Sequence, residues 1–252
     1  MEYMKTGKVY LVGAGPGDPG LLTIKAKAIL TSADVIVYDR LIAKRIVQEL
    51  PKRIVKIYVG KHPGSSSIPG QDGIPEILIS NARKGKLVVR LKGGDPFLFG
   101  RGGEEIQKLR EARVNFEVVP GITSALAVPA YAGIPVTHRK FASSVAIVTG
   151  HEDPQKSKRV DWKKLASAVD TIVILMGVSK LQSILNELIE GGCSIETPIA
   201  IIERGTTKRQ RVTIGTIGTI IQQVLERRIR SPAIIVVGEV VDLQTELSWF
   251  KP

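Results

Sequence analysis

Short runs of consecutive apolar residues alternate with longer amphipathic stretches through the first half of the chain. Val9–Val12, Val35–Tyr38, Ile54–Val59, Leu87–Leu91 and Phe116–Val119 read as strands, and Leu22–Ser32, Ile74–Arg83 and Glu104–Glu111 read as helices between them. With a helical link after Tyr38 the order is βαβαβαβαβ, which requires a mostly parallel sheet with crossover helices. Runs such as Val35–Val37 show no polar alternation, so the sheet is expected to be covered on both faces. Function is then expected at the carboxyl ends of its strands, where open parallel sheets leave a crevice.

Further along, Pro120–Pro135 is rich in small residues and punctuated by proline, which predicts a short, closely packed helix inside a connecting segment. Strands resume at Val145–Val148, Thr171–Met176, Ile199–Ile202 and Ala233–Val237, with helices near Lys180–Gly191 and Thr216–Glu226. The alternation in Lys208–Gly215 predicts an additional antiparallel hairpin strand. The expectation is an α/β protein of two α/β domains: residues 1–121 with Gly-rich loops and a mostly parallel sheet, and residues 122–252 with a mixed sheet.

Composition narrows the class. The 252 residues are 43% hydrophobic and 24% charged, with proline and glycine spread along the chain, as in an ordered globular protein. One cysteine, Cys193, excludes an internal disulfide and a Cys-rich zinc site. His62, His138 and His151 are too far apart in sequence for any metal-ligand spacing, so no metal is expected. The segment Met1–Lys8 lacks the apolar core of a signal peptide, and no stretch approaches the roughly 20 apolar residues of a membrane span, which predicts a cytoplasmic protein and no membrane partner. The net charge of +12 favours anionic partners or a merely solvated basic surface. Aromatic residues make up only 5% and do not interleave with the basic ones, so no nucleic-acid partner is expected.

Two glycine-rich loops carry the candidate chemistry. In VGAGPGDPG, Val12–Gly20, the residues Gly15, Gly17 and Gly20 satisfy the dinucleotide pattern, and Asp39 falls where a ribose-binding acid would. Against a diphosphate, Pro16 and Pro19 lack amide hydrogens and Asp18 sits where an anion would. The alternative is a tight strand-to-helix turn in which Asp18 caps the following helix. The second loop lies in VVRLKGGDPFLFGRGGEE, Val88–Glu105, where Gly93 and Gly94 can admit a flat ligand, Asp95 can accept hydrogen bonds and Phe97 with Leu98 forms an apolar wall. Signatures of P-loop NTPases, serine hydrolases with a nucleophile elbow and zincins are missing.

With VGAGPGDPGLLT (Val12–Thr23), VYDRL (Val37–Leu41), VGK (Val59–Lys61), Arg90–Glu105, VPGITS (Val119–Ser124), AGIPVTHR (Ala132–Arg139), LMG (Leu175–Gly177) and IERGT (Ile202–Thr206), the chain closely resembles the tetrapyrrole methylase family over nearly its whole length. The resemblance implies a methyltransferase that uses S-adenosyl-L-methionine, yields S-adenosyl-L-homocysteine, and has its active site in an interdomain cleft. It implies donor contacts at Pro16, Gly93, Gly94, Asp95, Leu98, Thr123, Ser124, Met176 and Gly205. It further implies Asp39 as proton acceptor and Lys61 as proton donor, with Arg101, Glu104 and Arg139 acting on the tetrapyrrole. The implied reaction methylates uroporphyrinogen III at C2 and C7 to precorrin-2 by way of precorrin-1. Eight substrate carboxylates give Arg101, Arg139 and the basic charge balance a purpose. The family likeness also implies a homodimer and a stand-alone enzyme. The sequence departs from the family at His62 and Pro63, and in Gly64–Gly73, whose composition suggests a mobile lid. Outside this class, a nicotinamide-dependent oxidoreductase would use the glycine pattern with Asp39, and a nucleic-acid binder would rest on charge alone.

Overall fold

A computed structural model describes residues 7–60, 73–153 and 155–252. The chain divides into two compact units, Met1–Thr123 and Ser124–Pro252. In the first, the apolar runs become β1 (Lys8–Gly13), β2 (Val35–Tyr38), β3 (Val55–Tyr58), β4 (Leu87–Lys92) and β5 (Asn115–Val119). They form one all-parallel sheet in the order β3-β2-β4-β1-β5. The crossovers are α1 (Ile24–Ser32), α2 (Lys44–Glu49), α3 (Ile74–Arg83) and α4 (Gly102–Glu111).

Both faces of this sheet are covered. Val12, Ile36, Val89 and Leu91 pack with Ala26 and Leu30 of α1 and Ile46 of α2. Val9, Leu11, Val35, Val37 and Val88 pack with Leu78 of α3 and Leu109 of α4 on the other side. Because α1 leaves β1 over one face and α4 leaves the adjacent β4 over the opposite face, the sheet has its topological switch point at the carboxyl ends of β1 and β4.

The start of α1 differs from the sequence expectation. Asp18 caps only a single 3₁₀ turn, Pro19–Leu21, by accepting from the Gly20 amide at 2.8 Å. Thr23 is the N-cap of α1, its hydroxyl accepting from Ala26, so the helix begins two residues later than its apolar pattern suggests.

The second unit comprises α5 (Ser124–Tyr131), β6 (Val145–Thr149), α6 (Trp162–Ala168), β7 (Thr171–Leu175), α7 (Leu181–Glu190), β8 (Pro198–Glu203), β9 (Arg211–Thr216), α8 (Ile220–Glu226), β10 (Ala233–Val237) and α9 (Gln244–Leu247). The sheet order is β6-β7-β10-β8-β9. β6 and β7 are parallel, while β10 runs antiparallel to β7 and β8, and β9 is the antiparallel hairpin strand, pairing Arg211 with Glu203. One face buries Ile174, Ile201 and Ile235 against Trp162 of α6 and Leu181, Leu185 and Leu188 of α7. α5 packs against β7 and β10.

Candidate active site

The described residues singled out in the first unit gather at the carboxyl edge of its parallel sheet. Pro16 follows β1, Asp39 follows β2, Gly93–Leu98 follows β4, and Thr123 lies beyond β5. Three of the loops touch through backbone. Gly15 and Gly94 exchange both hydrogen bonds, with N···O distances of 3.2 and 2.7 Å. A Cβ at Gly121 would fall 2.3 Å from the Gly94 carbonyl, and one at Gly13 would fall 2.5 Å from the Gly121 Cα. Side chains at Gly13 or Gly121 would therefore force these loops apart. Asp95 completes the join: Oδ1 accepts from the amides of Phe97 (2.8 Å) and Leu98 (3.1 Å), and Oδ2 accepts from Gly121 (3.0 Å).

This geometry argues against a diphosphate cradle in the opening loop. The amides of Ala14, Gly15, Gly20, Leu21 and Leu22 already have protein acceptors, and Pro16 and Pro19 have no amide hydrogen to give. What the edge offers is glycine backbone at Gly93 and Gly94, the proline ring of Pro16, and exposed apolar side chains at Leu41, Phe97 and Phe99. Such a surface suits a flat or apolar ligand with a few hydrogen-bonding groups.

Asp39 is fixed on both oxygens. Its Oδ1 accepts from the Leu41 amide at 3.0 Å and its Oδ2 from Arg90 Nη2 at 3.0 Å. Arg90 and Lys92 occupy alternate positions of β4, point to the α4 face, and are buried there with Glu105. Glu105 Oε1 accepts from Arg90 Nε at 3.3 Å and from Lys92 Nζ at 2.7 Å. Burial, reinforced by the Arg90 charge, pushes the Lys92 ammonium below the ordinary lysine value. No sequence argument selected Arg90, Lys92 or Glu105 individually. The available signal was two cations spaced i, i+2 in a strand whose other residues are all apolar.

Arg101 and Glu104 stand at the start of α4, exposed and paired at 3.1 Å. Burial pushes the Glu104 carboxyl upward, but its own backbone amide and Arg101 outweigh this and leave it below the ordinary value. Arg101 has φ +57°, a strained conformation for a non-glycine residue. Seven such residues occur among those described. Arg113 and Arg228 lie just beyond α4 and α8, where left-handed caps are common. The other five, Phe99, Arg101, Met176, Arg204 and Thr206, lie in loops that follow strands and surround the predicted site positions, a distribution typical of functional strain.

In the second unit, Met176 follows β7 and Gly205 follows β8, at the same end of the sheet. The backbone around Gly205 is packed so closely on α5 that a Cβ would meet Val128 at 2.3 Å. Gln210, missed by the sequence reading, holds this turn: its Oε1 accepts from Thr206 N–H at 2.8 Å and its Nε2 donates to the Tyr131 carbonyl at 3.0 Å. Ser124 is the first residue of α5. Arg139 sits exposed in the tight His138–Ala142 turn that leads to the amino end of β6. A cavity of about 490 Å³ at that end, lined in part by Phe141, Asp170, Cys193, Glu196 and Glu239, includes none of the predicted site residues, and its carboxylates do not suit an anionic ligand. Lys61, His62, Pro63 and the proposed lid up to Asp72 lie outside the described residues. Among the described residues no group of three or more His, Cys, Asp or Glu could hold a metal ion, and no helix is long and apolar enough to cross a membrane.

Residues 8–221 match the tetrapyrrole (corrin/porphyrin) methylases. An S-adenosyl-L-methionine-dependent uroporphyrinogen III methyltransferase of Methanosarcina barkeri is 56% identical over 238 residues, covering 94% of this chain and 93% of the relative. A uroporphyrinogen-III C-methyltransferase of Methanocaldococcus jannaschii is 55% identical over 240 residues, covering 94% and 98%. Among solved structures, a uroporphyrin-III C-methyl transferase from Thermus thermophilus complexed with S-adenyl homocysteine superposes with a TM-score of 0.79 at 41% identity, covering 93% of each chain.

Proposed function

The chain belongs to the tetrapyrrole (corrin/porphyrin) methylases, and from that membership we propose that it methylates uroporphyrinogen III at C2 and C7. The methyl donor is S-adenosyl-L-methionine, and the product is precorrin-2, formed by way of precorrin-1. The sulfonium of the donor supplies the electrophilic methyl group. Pro16, Gly93, Gly94, Asp95, Leu98, Thr123, Ser124, Met176 and Gly205, the donor contacts of the family likeness, hold that donor. Their chemistry suits it: glycine backbone at Gly93 and Gly94 with no side chain in the way, apolar surface from Leu98 and Met176, and no phosphate-type clamp. Asp95 contributes by fixing the loop through three backbone amides.

The observation that carries the reading is Asp39, half-buried at the carboxyl edge of the sheet and held on both oxygens. Methyl transfer to a pyrrole carbon places positive charge on the macrocycle and requires a ring proton to leave. Asp39 takes that proton, and Lys61 acts as proton donor to the macrocycle in the double-bond rearrangement that follows, with a net loss to solvent of one proton for each methyl added. A carboxylate oxygen accepts more than one hydrogen bond, so the bonds from Leu41 and Arg90 orient Asp39 without exhausting it. Arg101, paired with Glu104 and exposed at the head of α4, and Arg139, exposed on its turn, bind substrate carboxylates. Rate enhancement comes from positioning and from charge already in place.

Incubating the protein with uroporphyrinogen III and the donor, then reading product mass, tests this directly. Addition of two methyl groups is expected, and an unchanged substrate mass would overturn it. Loss of Asp39 as Asp39→Asn should lower turnover on the order of 100-fold or more while S-adenosylhomocysteine still binds. The same reading takes the protein as a cytoplasmic homodimer; a single-protomer mass in sedimentation at working concentration would remove the dimer.

A further inference from the structure

A strand covered on both faces has no ordinary use for charge, yet β4 carries Arg90 and Lys92 at 2% and 3% exposure, with Glu105 at 2% between them. Together with Asp39 they form a chain of ion pairs, Lys92–Glu105–Arg90–Asp39, with two charges of each sign. Buried ion pairs are a poor way to stabilise a fold, since apolar side chains of similar volume do as well or better. The chain also leads somewhere. Three of its members are sealed in the interior, and Asp39, at the open edge, is 26% exposed.

The guanidinium of Arg90 is committed on every nitrogen. Nε meets Glu105, Nη1 donates to the carbonyls of Leu91 (3.0 Å) and Val37 (3.4 Å), and Nη2 meets Asp39. A planar fork held at Nε and Nη1 has no freedom left at Nη2, so its direction toward Asp39 is set from the protein interior. Glu105 is the fixed point. It projects from α4 onto β4, and its Oε1 gathers both cations while Oε2 has no partner among the described residues. An acid leaving one buried oxygen unpaired gives up stability, which further argues that its place is dictated by something other than stability.

We propose that Glu105 and Arg90 are positioning residues for the methylation reaction, Glu105 locking the Arg90 fork and Arg90 aiming the Asp39 carboxylate at the ring proton it removes. Lys92 compensates the Glu105 charge. The inference deepens the proposed role of Asp39 and rests on it.

A double-mutant cycle tests it. Arg90→Lys keeps the charge and loses the fork. Its kcat should fall between about 10- and 100-fold, while KM for uroporphyrinogen III and the dissociation constant for S-adenosylhomocysteine stay within about twofold. Added to Asp39→Asn, the same change should cost no further turnover, because a residue that acts only through Asp39 has nothing left to act on. Glu105→Gln should behave alike with a smaller fall, and it carries the test alone if Arg90→Lys does not fold. Additive losses in the cycle, or a rise in KM that accounts for the loss, would overturn the inference and leave the role of Asp39 standing. Unimpaired turnover in Asp39→Asn would instead remove that role, and the inference with it.

Discussion

The two sheets solve the problem of a buried interior differently. In the second unit the sheet face toward α6 and α7 is isoleucine and valine, packed on Trp162 and the leucines of α7. Its buried charge among the described residues is Glu203, at the end of β8, whose partner Arg211 is 57% exposed. In the first unit an equally apolar sheet admits Arg90, Lys92 and Glu105 into the interior. The second arrangement is what stability alone would select, and the first is what remains when an edge carboxylate must be aimed from within.

Removing one member of each interior separates the two. Glu105→Ala strands two buried cations and should cost about 4 kcal/mol in urea unfolding, the largest single effect expected. A loss near zero would mean that water already reaches the cluster. Leu188→Ala, at a fully buried position on α7, should cost about 3 kcal/mol by leaving a cavity, with affinity for S-adenosylhomocysteine unchanged in the folded protein.

Replacing the whole cluster sharpens the contrast. The triple variant Arg90→Met, Lys92→Met, Glu105→Leu should be as stable as the parent or up to about 2 kcal/mol more stable, yet slow in methyl transfer. Stability lost together with turnover would show the charges to be structural.

The smallest effect belongs to the surface of the first unit. Glu117 on β5 is gripped by Lys25 and Lys8, which hold its carboxyl well below the ordinary 4.5, at about 2. Because the folded value is the lower one, this pairing stabilises the fold above pH 4.5, and the contribution is lost as pH falls toward 2. Glu117→Gln should flatten the fall in urea midpoint over that interval, more visibly in low salt. An unaltered acid limb would show that the pairing contributes nothing.

Most elements were legible because their signal is local. Val35–Tyr38 and Ala233–Val237 are strands within the limits that their apolar runs suggest, and Ile74–Arg83 is a helix over its whole amphipathic stretch. α6 was not legible: it spans only seven residues and fully buries only Trp162. The glycine loops announced a site because glycine pairs beside an acid and aromatics have no use in a plain connection. The ion-pair chain behind them gave almost no sign, since a charged residue in a sequence ordinarily belongs to a solvated surface.

The amino-acid order by itself determined the alternation of strands and helices, the covering of the first sheet on both faces, and the loops carrying special chemistry. Those properties depend on neighbours within one turn or one strand. Only the tertiary structure placed β10, the last strand in sequence, in the middle of its sheet, and only it joined Arg90 to Glu105 15 residues away and to Asp39 51 residues away. Strand order decides which charges meet, and an apolar run reads the same whichever strand lies beside it.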